Sequence, residues 1–299
     1  MKIIGTGLSG LVGSRIVELL QKKHLFTDFS LDSGVDITDF NQLKKAFQEN
    51  QGAKIVLHLA AFTDVNAAYQ QKDDKNGLCY RVNVLGTKNI ARLCRETGKY
   101  LIHISTDFVF SGKKMTAYTE NDTPDPIEWY GQTKYWAEEE VKNSGCNNVI
   151  LRIAFPFKAE AGPKQLESRV KLDLVRKIKG RLEKEEKIPV FTDQKITPTF
   201  IDDIAEVKEI VIQRRPEGIY HLTGSTSLSP FKLAQKIAKI FNLKRDLIKK
   251  ASLKEYLQQN KRPRQVRMEL SNNKLRKELG IEMKTVDQAL QLIKEQLTD

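Results

Sequence analysis

The sequence predicts an α/β protein, a doubly wound parallel sheet flanked by helices, with a smaller mixed lobe drawn from the C-terminal half. Three observations carry this expectation. Short apolar runs alternate with helical patterns through the first 157 residues, and joining such strands requires crossovers, hence a parallel sheet covered on both faces. A glycine-rich turn, "GTGLSGLVG", links the first apolar run to the first helical pattern. At 299 residues and 40% hydrophobic content, the chain can bury the core of one large domain, or of a domain plus a lobe.

The elements follow in order. Residues 2–6 read as a strand and 14–22 as a helix; "LFTDF" is a short second strand and "FNQLKKAFQEN" a helix. Strand "AKIVLHLA" precedes a long helix over about 79–97. Strand "YLIHIST", helix "YGQTKYWAEEEVK" and strand "NVILRIAF" complete the alternation. Beyond Phe157 it loosens. "KAEAGPKQ" is a polar loop leading to a basic helix over 166–178; "IPVF" and "TPTFIDDIAEVKEIVI" read as a late strand, a loop and a helix returning to the sheet. "GIYHLTG" is a further strand, "SPFKLAQKIAKIF" a capped amphipathic helix, and the last 55 residues are helical and basic around Pro263. The expected division is a sheet domain of 1–156 with 188–221, and a lobe of 157–187 with 222–299.

The net charge is +12, yet acidic and basic residues cancel over 1–150, so 151–299 carries all of it. The richest stretches are 171–187 and 244–277, including "KRPRQVR". No nucleic-acid motif accompanies this charge. A small anion such as a nucleotide diphosphate needs two or three of these cations, and the rest are solvated surface. No apolar run approaches the ~20 residues that span a bilayer. Cys79, Cys94 and Cys146 are widely separated and odd in number, which suits neither a disulfide framework nor a metal site. Met1 leads straight into a strand, with no room for a signal peptide. These features describe a cytoplasmic protein with no metal, membrane or nucleic-acid partner, as monomer or homodimer.

The opening glycines allow two registers. With Gly5, Gly7 and Gly10 as the turn, the strand ends at Ile4 and two glycines fall inside the helix, at about 1 kcal/mol each against alanine. With Gly7, Gly10 and Gly13, the strand runs to Thr6, the turn spans 7–11, and Gly13 lets the helix approach a strand closely. The second wastes fewer glycines and is expected, with Leu11, Val12, Ile16, Leu19 and Leu20 as the buried helix face. The first N–H groups of that helix would then point at a pyrophosphate. Glycine-rich turns also occur as plain tight turns; position at the head of a strand–helix repeat favours the cofactor.

In "WYGQTKYWAEE", Tyr130 and Lys134 lie four apart and share one helix face. A phenol is a poor acid at neutral pH, and an ammonium one turn away draws its pKa down. Tyr-x-x-x-Lys also arises by chance in many helices. Its weight here comes from "HISTDFVFSG", where Ser105 and Thr106 close a core strand at its carboxyl end, where α/β sheets bind ligands. A hydroxyl there can bond the same substrate oxygen that the tyrosine protonates. Four histidines, His24, His58, His103 and His221, have no paired ligand spacing and read as satisfied structural groups. Asp202 and Asp203 read as an N-cap with first-turn charge, and Glu138–Glu140 as a solvated helix face. Ser105, with no histidine base in pattern, is not a hydrolase nucleophile.

Together, Gly7/Gly10/Gly13, "HLAAFTDVNAA", "VNVLGTKNIARLC", "ISTDFVFSG" and "YGQTKYWAEE" resemble an extended short-chain dehydrogenase/reductase with a Rossmann sheet. "STDFVF", "LRIAFPF", "DQKITPTFIDDIA" and "GIYHLTG" narrow the resemblance to the dTDP-4-dehydrorhamnose reductase-like family, over nearly the whole chain. The resemblance implies an NAD(P)-dependent sugar-nucleotide reductase. It implies that Gly7, Leu8, Ser9, Gly10, Leu11 and Val12 hold the pyrophosphate, that Asp36 and Ile37 lie by the adenine, and that Ala60, Ala61 and Phe62 lie by the ribose. Tyr130 and Lys134 would contact the nicotinamide ribose and, with Thr106, form the catalytic set. Thr63 and Val65 would face the sugar, and "KRPRQVR", with Arg262 and Arg264, matches the family's Arg-Pro substrate loop.

Four departures lie on the substrate side. Phe155 stands where the family usually has tryptophan, and Ile196 replaces a glycine in "DQKITPT". The loop 157–168 lacks a Gly-Asn-Phe-like segment, and Arg264-Gln265 stands where an asparagine is expected. These departures keep two other classes open: a non-catalytic nucleotide-binding regulatory subunit, like the methionine adenosyltransferase β subunit, and a nucleotide-sugar epimerase or dehydratase. Asp28 and Asp32 bracket the end of the second strand with no cation immediately after them, which leans the cofactor towards NAD(H) over NADP(H).

Overall fold

A computed structural model describes residues 1–159 and 172–297. It contains two compact units: Met1–Ser111 with Thr123–Arg152 and Ala205–Tyr220, and Gly112–Asp122 with Ile153–Ile204 and His221–Asp299. The stretch 188–204 thus belongs to the second unit, as does the short excursion Gly112–Asp122.

The strands are β1 (Lys2–Thr6), β2 (Leu25–Phe29), β3 (Ile55–His58), β4 (Tyr100–Thr106), β5 (Asn148–Ile153), β6 (Pro156–Phe157), β7 (Ile188–Phe191), β8 (Lys195–Ile196), β9 (Thr199–Phe200), β10 (Gly218–His221), β11 (Ile248–Ala251) and β12 (Arg267–Met268). Six form the central sheet in the order β10-β5-β4-β3-β1-β2. β1 pairs in parallel with both β2 and β3, and β3 with β4. This is the doubly wound sheet that the strand–helix alternation predicts. Every residue of β3 and β4 is buried, which is why both read as mostly apolar stretches and not as alternating ones. The core on this sheet includes Ile4, Phe29, Leu43, Phe47, Val56, Ile90, Leu93, Leu101 and Ile150.

From β1 the chain winds one way to β2 and the other way to β3, β4 and β5, so β1 and β3 flank a topological switch point. Crevices beyond the carboxyl ends of such strands are where open α/β sheets take ligands. The helix after β1 spans Leu11–Leu20. Ile16 and Leu20 are buried as expected, but Leu19 is 39% exposed while Arg15 is 6% exposed. Arg15 tolerates this because its guanidinium meets Glu18 Oε1 at 2.7 Å.

The long helix expected over 79–97 is continuous from Leu78, but Arg81–Gly86 is wound as a π-helix between α-helical Leu78–Tyr80 and Thr87–Thr97. It stops at Gly98, whose φ of 63° lies in the left-handed region. Trp129–Asn143 forms the next helix.

In the second unit β7 pairs with β11, β8 with β12 and β6 with β9, each in parallel. Their core gathers Phe157, Val175, Ile188, Ile196, Phe200, Leu233, Ile237 and Leu290. The described basic helix is Leu174–Glu183, begun by Asp173, whose side chain accepts from the Arg176 N–H. The earlier part of the expected helix, 166–171, lies outside the described residues, as does most of the loop 157–168. Ser229 caps Pro230–Ile240 as expected, with proline in the first turn.

Asp202 and Asp203 do not cap. The helix Ile201–Arg214 starts before them, so they lie within its first turn. Asp203 accepts from the Lys284 N–H at 2.7 Å and from its Nζ at 2.5 Å, and Asp202 accepts from Gln296 Nε2.

Candidate active site

At the switch point, β1 ends at Thr6 and the helix begins at Leu11 with Gly10 as its N-cap, as the Gly7-Gly10-Gly13 register requires. Gly7 has φ 66°, and a Cβ there would lie 2.7 Å from the Ala60 backbone nitrogen. A Cβ on Gly13 would collide with the Gly7 carbonyl oxygen. Gly5, by contrast, is an interior residue of β1, and a Cβ there would meet only the side chain of Leu8.

The N-terminal N–H groups of this helix have no side-chain cap, because Gly10 supplies none. Ser9 and Gly10 are exposed. A narrow glycine cradle below uncapped helix N–H groups fits a pyrophosphate.

The loop after β3 closes the other side. The Ala60 N–H donates to Thr6 Oγ1 at 3.1 Å, and the Phe62 N–H donates to Asn83 Oδ1 at 2.8 Å. Asn83 also donates to Thr133 Oγ1 at 2.9 Å, and Thr133 donates to the Tyr130 carbonyl. The π-turn places Asn83 so that one amide ties the Ala60–Phe62 loop to the helix carrying Tyr130. Sequence reasoning missed Asn83, since a π-turn leaves no mark on the 3.6-residue pattern.

Further out, Ile37 is buried and packs on Gly86, while Asp36 uses Oδ1 to hold the Thr38 N–H and hydroxyl. Thr63 is exposed just before the helix Val65–Gln70.

Thr106, Tyr130 and Lys134 all belong to the first unit. Thr106 ends β4 and caps the tight turn Asp107–Val109, accepting from the Phe108 N–H. Gly131 lets the helix press against that turn, because a Cβ there would collide with the Phe108 carbonyl oxygen. The Tyr130 and Phe108 rings meet edge to face with centroids 5.3 Å apart. Lys134 Nζ donates to the Ile104 carbonyl at 2.8 Å, pinning the lysine to β4.

Burial lowers the lysine's pKa to about 8, against an upward pull from Glu138. The Tyr130 phenol is raised above its ordinary value, by burial first and by Asp107 second, while a hydrogen bond with Thr106 lowers it. The phenol thus stands above its ordinary value, not below it, while the Lys134 ammonium donates to the Ile104 carbonyl.

Asp107 is the second residue that sequence reasoning missed, although it adjoins Thr106 in "STDFVF". It is buried, Oδ1 accepts from Thr106 Oγ1 at 3.0 Å, and Oδ2 has no hydrogen-bond partner among the described residues. Burial raises its pKa to about 7. Ser105 Oγ is likewise buried without a partner.

Glu138 is fully buried, not solvated. It receives two hydrogen bonds from Arg152, 2.9 Å to Oε1 and 2.6 Å to Oε2, and the guanidinium lies over Phe110. Tyr130, Lys134 and Glu138 sit at i, i+4 and i+8, so all three share the inward stripe.

His58 is satisfied by Thr6 and Thr87, at 2.7 and 2.9 Å, and burial lowers its pKa to about 3. His24 meets Glu209 and His221 meets the Ser271 carbonyl. His103 breaks the expectation: both ring nitrogens are buried without partners among the described residues, and its ring lies tilted, 5.3 Å from that of His58.

In the second unit, Phe155 has φ 43°, a left-handed backbone rare for a bulky residue, and it is followed by Pro156. Arg264 stacks on Tyr256 at 4.8 Å and donates to its hydroxyl at 3.3 Å. Arg262 is half-buried.

The RmlD substrate binding domain family matches residues 1–298. The probable low-salt glycan biosynthesis reductase Agl14 of Haloferax volcanii is 26% identical, covering 98% of this chain and 97% of that one. A dTDP-4-dehydrorhamnose reductase of Aggregatibacter actinomycetemcomitans is 29% identical over 78% of this chain and 76% of its own. The crystal structure of dTDP-4-dehydrorhamnose reductase from Bacillus anthracis in complex with NADP superposes with a TM-score of 0.87 at 27% identity, covering 99% of each chain. With its glycine cradle and its Thr106–Tyr130–Lys134 cluster, the chain belongs to the RmlD substrate binding domain family, as an NAD(P)-dependent oxidoreductase of the dTDP-4-dehydrorhamnose reductase type.

Proposed function

We propose that the chain reduces the 4-keto group of a nucleotide-linked sugar. What supports this reading is Thr106 at the end of β4, with Tyr130 and Lys134 on the helix pressed against it, in a chain of this family. When bound, the reduced nicotinamide supplies a hydride to the keto carbon. Tyr130 gives its phenolic proton to the oxygen that becomes a hydroxyl, and Thr106 bonds that oxygen. Lys134 stays charged below pH ~8, bonds the ribose and favours loss of the phenol proton. Gly7, Leu8, Ser9, Gly10, Leu11 and Val12 grip the pyrophosphate, Asp36 and Ile37 flank the adenine, and Ala60, Ala61 and Phe62 flank the ribose. Gly13→Val should abolish dinucleotide binding by calorimetry; undiminished affinity would place the pyrophosphate elsewhere.

NAD(H) is the favoured cofactor. Asp28, on β2, accepts from Ser30 through Oδ2, and its Oδ1 has no partner among the described residues, which leaves an acceptor for a ribose hydroxyl and repels a 2′-phosphate. Titration with NADH and NADPH tests this, and tighter NADPH binding would reverse it.

The sugar falls to Thr63, Val65 and Phe155, whose strained backbone suits a side chain held for contact. Arg262 and Arg264 serve the diphosphate; the Tyr256 stack and hydroxyl bond restrain Arg264, which reduces the ordering cost of binding. Replacing both arginines with alanine should raise KM for the nucleotide sugar with dinucleotide affinity unchanged; an unchanged KM would make the charge surface only. The experiment for the function is oxidation of NADH or NADPH, followed by absorbance, with a panel of nucleotide 4-keto sugars. Turnover with any member supports the proposal. Tight dinucleotide binding with no turnover on the panel would favour a regulatory subunit.

A further inference from the structure

The Arg-Pro loop holds a polar side chain that neither the fold nor the reaction described above uses. Gln265 is 3% exposed, yet its carboxamide Nε2 has no hydrogen-bond partner among the described residues. Its seat is fixed from both sides. Gln194 Nε2 donates to the Gln265 carbonyl at 3.0 Å, and the Lys195 N–H donates to the Val266 carbonyl at 2.8 Å. The Arg267 N–H donates to the Gly112 carbonyl at 3.0 Å. Gly112, with φ 74°, lets the segments close in, since a Cβ there would lie 2.6 Å from Gln265 Cβ. All these residues belong to the second unit.

A buried amide N–H without a partner costs stability, and native folds keep few of them. The neighbours share its character. Arg264 Nε and Arg267 Nε are also buried without partners among the described residues. Arg267 is neutralised by Glu269 at 2.6 Å, whereas the polar contact of Arg264 is the neutral Tyr256 hydroxyl. Apart from Gln265 Oε1, the stretch 262–267 contains no side-chain oxygen, so its open groups are donors. A ligand that suits them presents acceptors. A diphosphate offers acceptor oxygens alone, while sugar hydroxyls and base edges bring donors of their own.

We propose that Gln265 is a further binding residue for the nucleotide sugar, and that its carboxamide N–H donates to a diphosphate oxygen. This rests on the reading of the Arg-Pro loop as the diphosphate site. The group that binds the ligand is a defect in the free chain. An apolar side chain of similar length should therefore do two opposite things: weaken the ligand, and leave the ligand-free fold at least as stable as the parent.

The test is calorimetric titration of the full chain with dTDP, with thymidine as the comparison that lacks the diphosphate. Gln265→Met should weaken dTDP by about tenfold, with dinucleotide affinity unchanged. Its denaturation midpoint without ligand should match or exceed that of the parent. Gln265→Glu keeps the shape but sets a carboxylate against the diphosphate, and should weaken dTDP by about a hundredfold. Unchanged dinucleotide affinity reports that each variant is folded.

Parent-like dTDP affinity in Gln265→Met, beside a loss when Arg262 and Arg264 are both alanine, would overturn the proposal and leave the loop's reading intact. A lowered denaturation midpoint in Gln265→Met would also overturn it, because the side chain would then serve the fold. An equal loss for thymidine would move the contact to the nucleoside and contradict the diphosphate assignment. Parent-like dTDP affinity in the double alanine variant, or a parent that binds dTDP no tighter than thymidine, would remove the reading of the loop and this proposal with it.

Discussion

Tyr130→Phe is expected to lower kcat by about 10²–10⁴-fold, with the dinucleotide dissociation constant nearly unchanged. The change removes one oxygen. It leaves the edge-to-face contact with Phe108 and the Thr133 bond to the residue's carbonyl in place, so the helix keeps its seat. On the proposed reading the loss should fall on kcat, because the phenol would act on an oxygen that gains charge only in the transition state. Steady-state kinetics beside calorimetric titration of the dinucleotide separate the two effects. Wild-type kcat in the variant would remove Tyr130 from the chemistry.

The second large effect is expected at Glu138. Glu138→Gln removes the carboxylate charge from a fully buried pair with Arg152, and breaking such a pair costs about 3–5 kcal/mol. Chemical denaturation reads this directly. A pair of ordinary surface character would lose no more than about 1 kcal/mol, and that result would contradict the burial described here.

The same variant tests Lys134. Burial depresses the lysine's pKa to about 8 and Glu138 opposes that, so removing Glu138 should drive it lower. A lysine with a depressed pKa is charged below that value and neutral above it. The alkaline limb of the activity profile, set by discharge of Lys134, should therefore begin at lower pH in Glu138→Gln. A limb that stays in place would show that Glu138 acts on stability alone.

The misreading of Glu138 shows where sequence reasoning stops. Three consecutive glutamates look like a solvated face, and only the third dimension reveals that Arg152 of β5 reaches one of them. The sheet itself was legible because β3 and β4 are buried on both faces and leave mostly apolar stretches between clear turn signals. The glycine register was legible because helix propensity penalises interior glycines, and the backbone contacts of Gly7 and Gly13 supply the physical reason.

Leu19 was misplaced because a ten-residue helix has few periods to fix its phase, and Arg15 took an inward position through its bond to Glu18. Thr106 ends β4, and Tyr130 and Lys134 lie on the helix that Lys134 ties to that strand. Asn83 and Asp107 were hidden because their contacts depend on a π-turn and on a hydrogen bond between neighbours in sequence.

The central claim is that a hydride reaches the 4-keto carbon while Tyr130 supplies the proton. The most direct measurement uses NADH or NADPH deuterated on the transferred position, with the nucleotide 4-keto sugar that turns over, and product analysis by mass and NMR. The account predicts one deuterium, carried at C4 of the reduced sugar, in wild-type product and at a rate about 10²–10⁴-fold lower with Tyr130→Phe. Deuterium at another carbon, or a converted sugar carrying none, would contradict it.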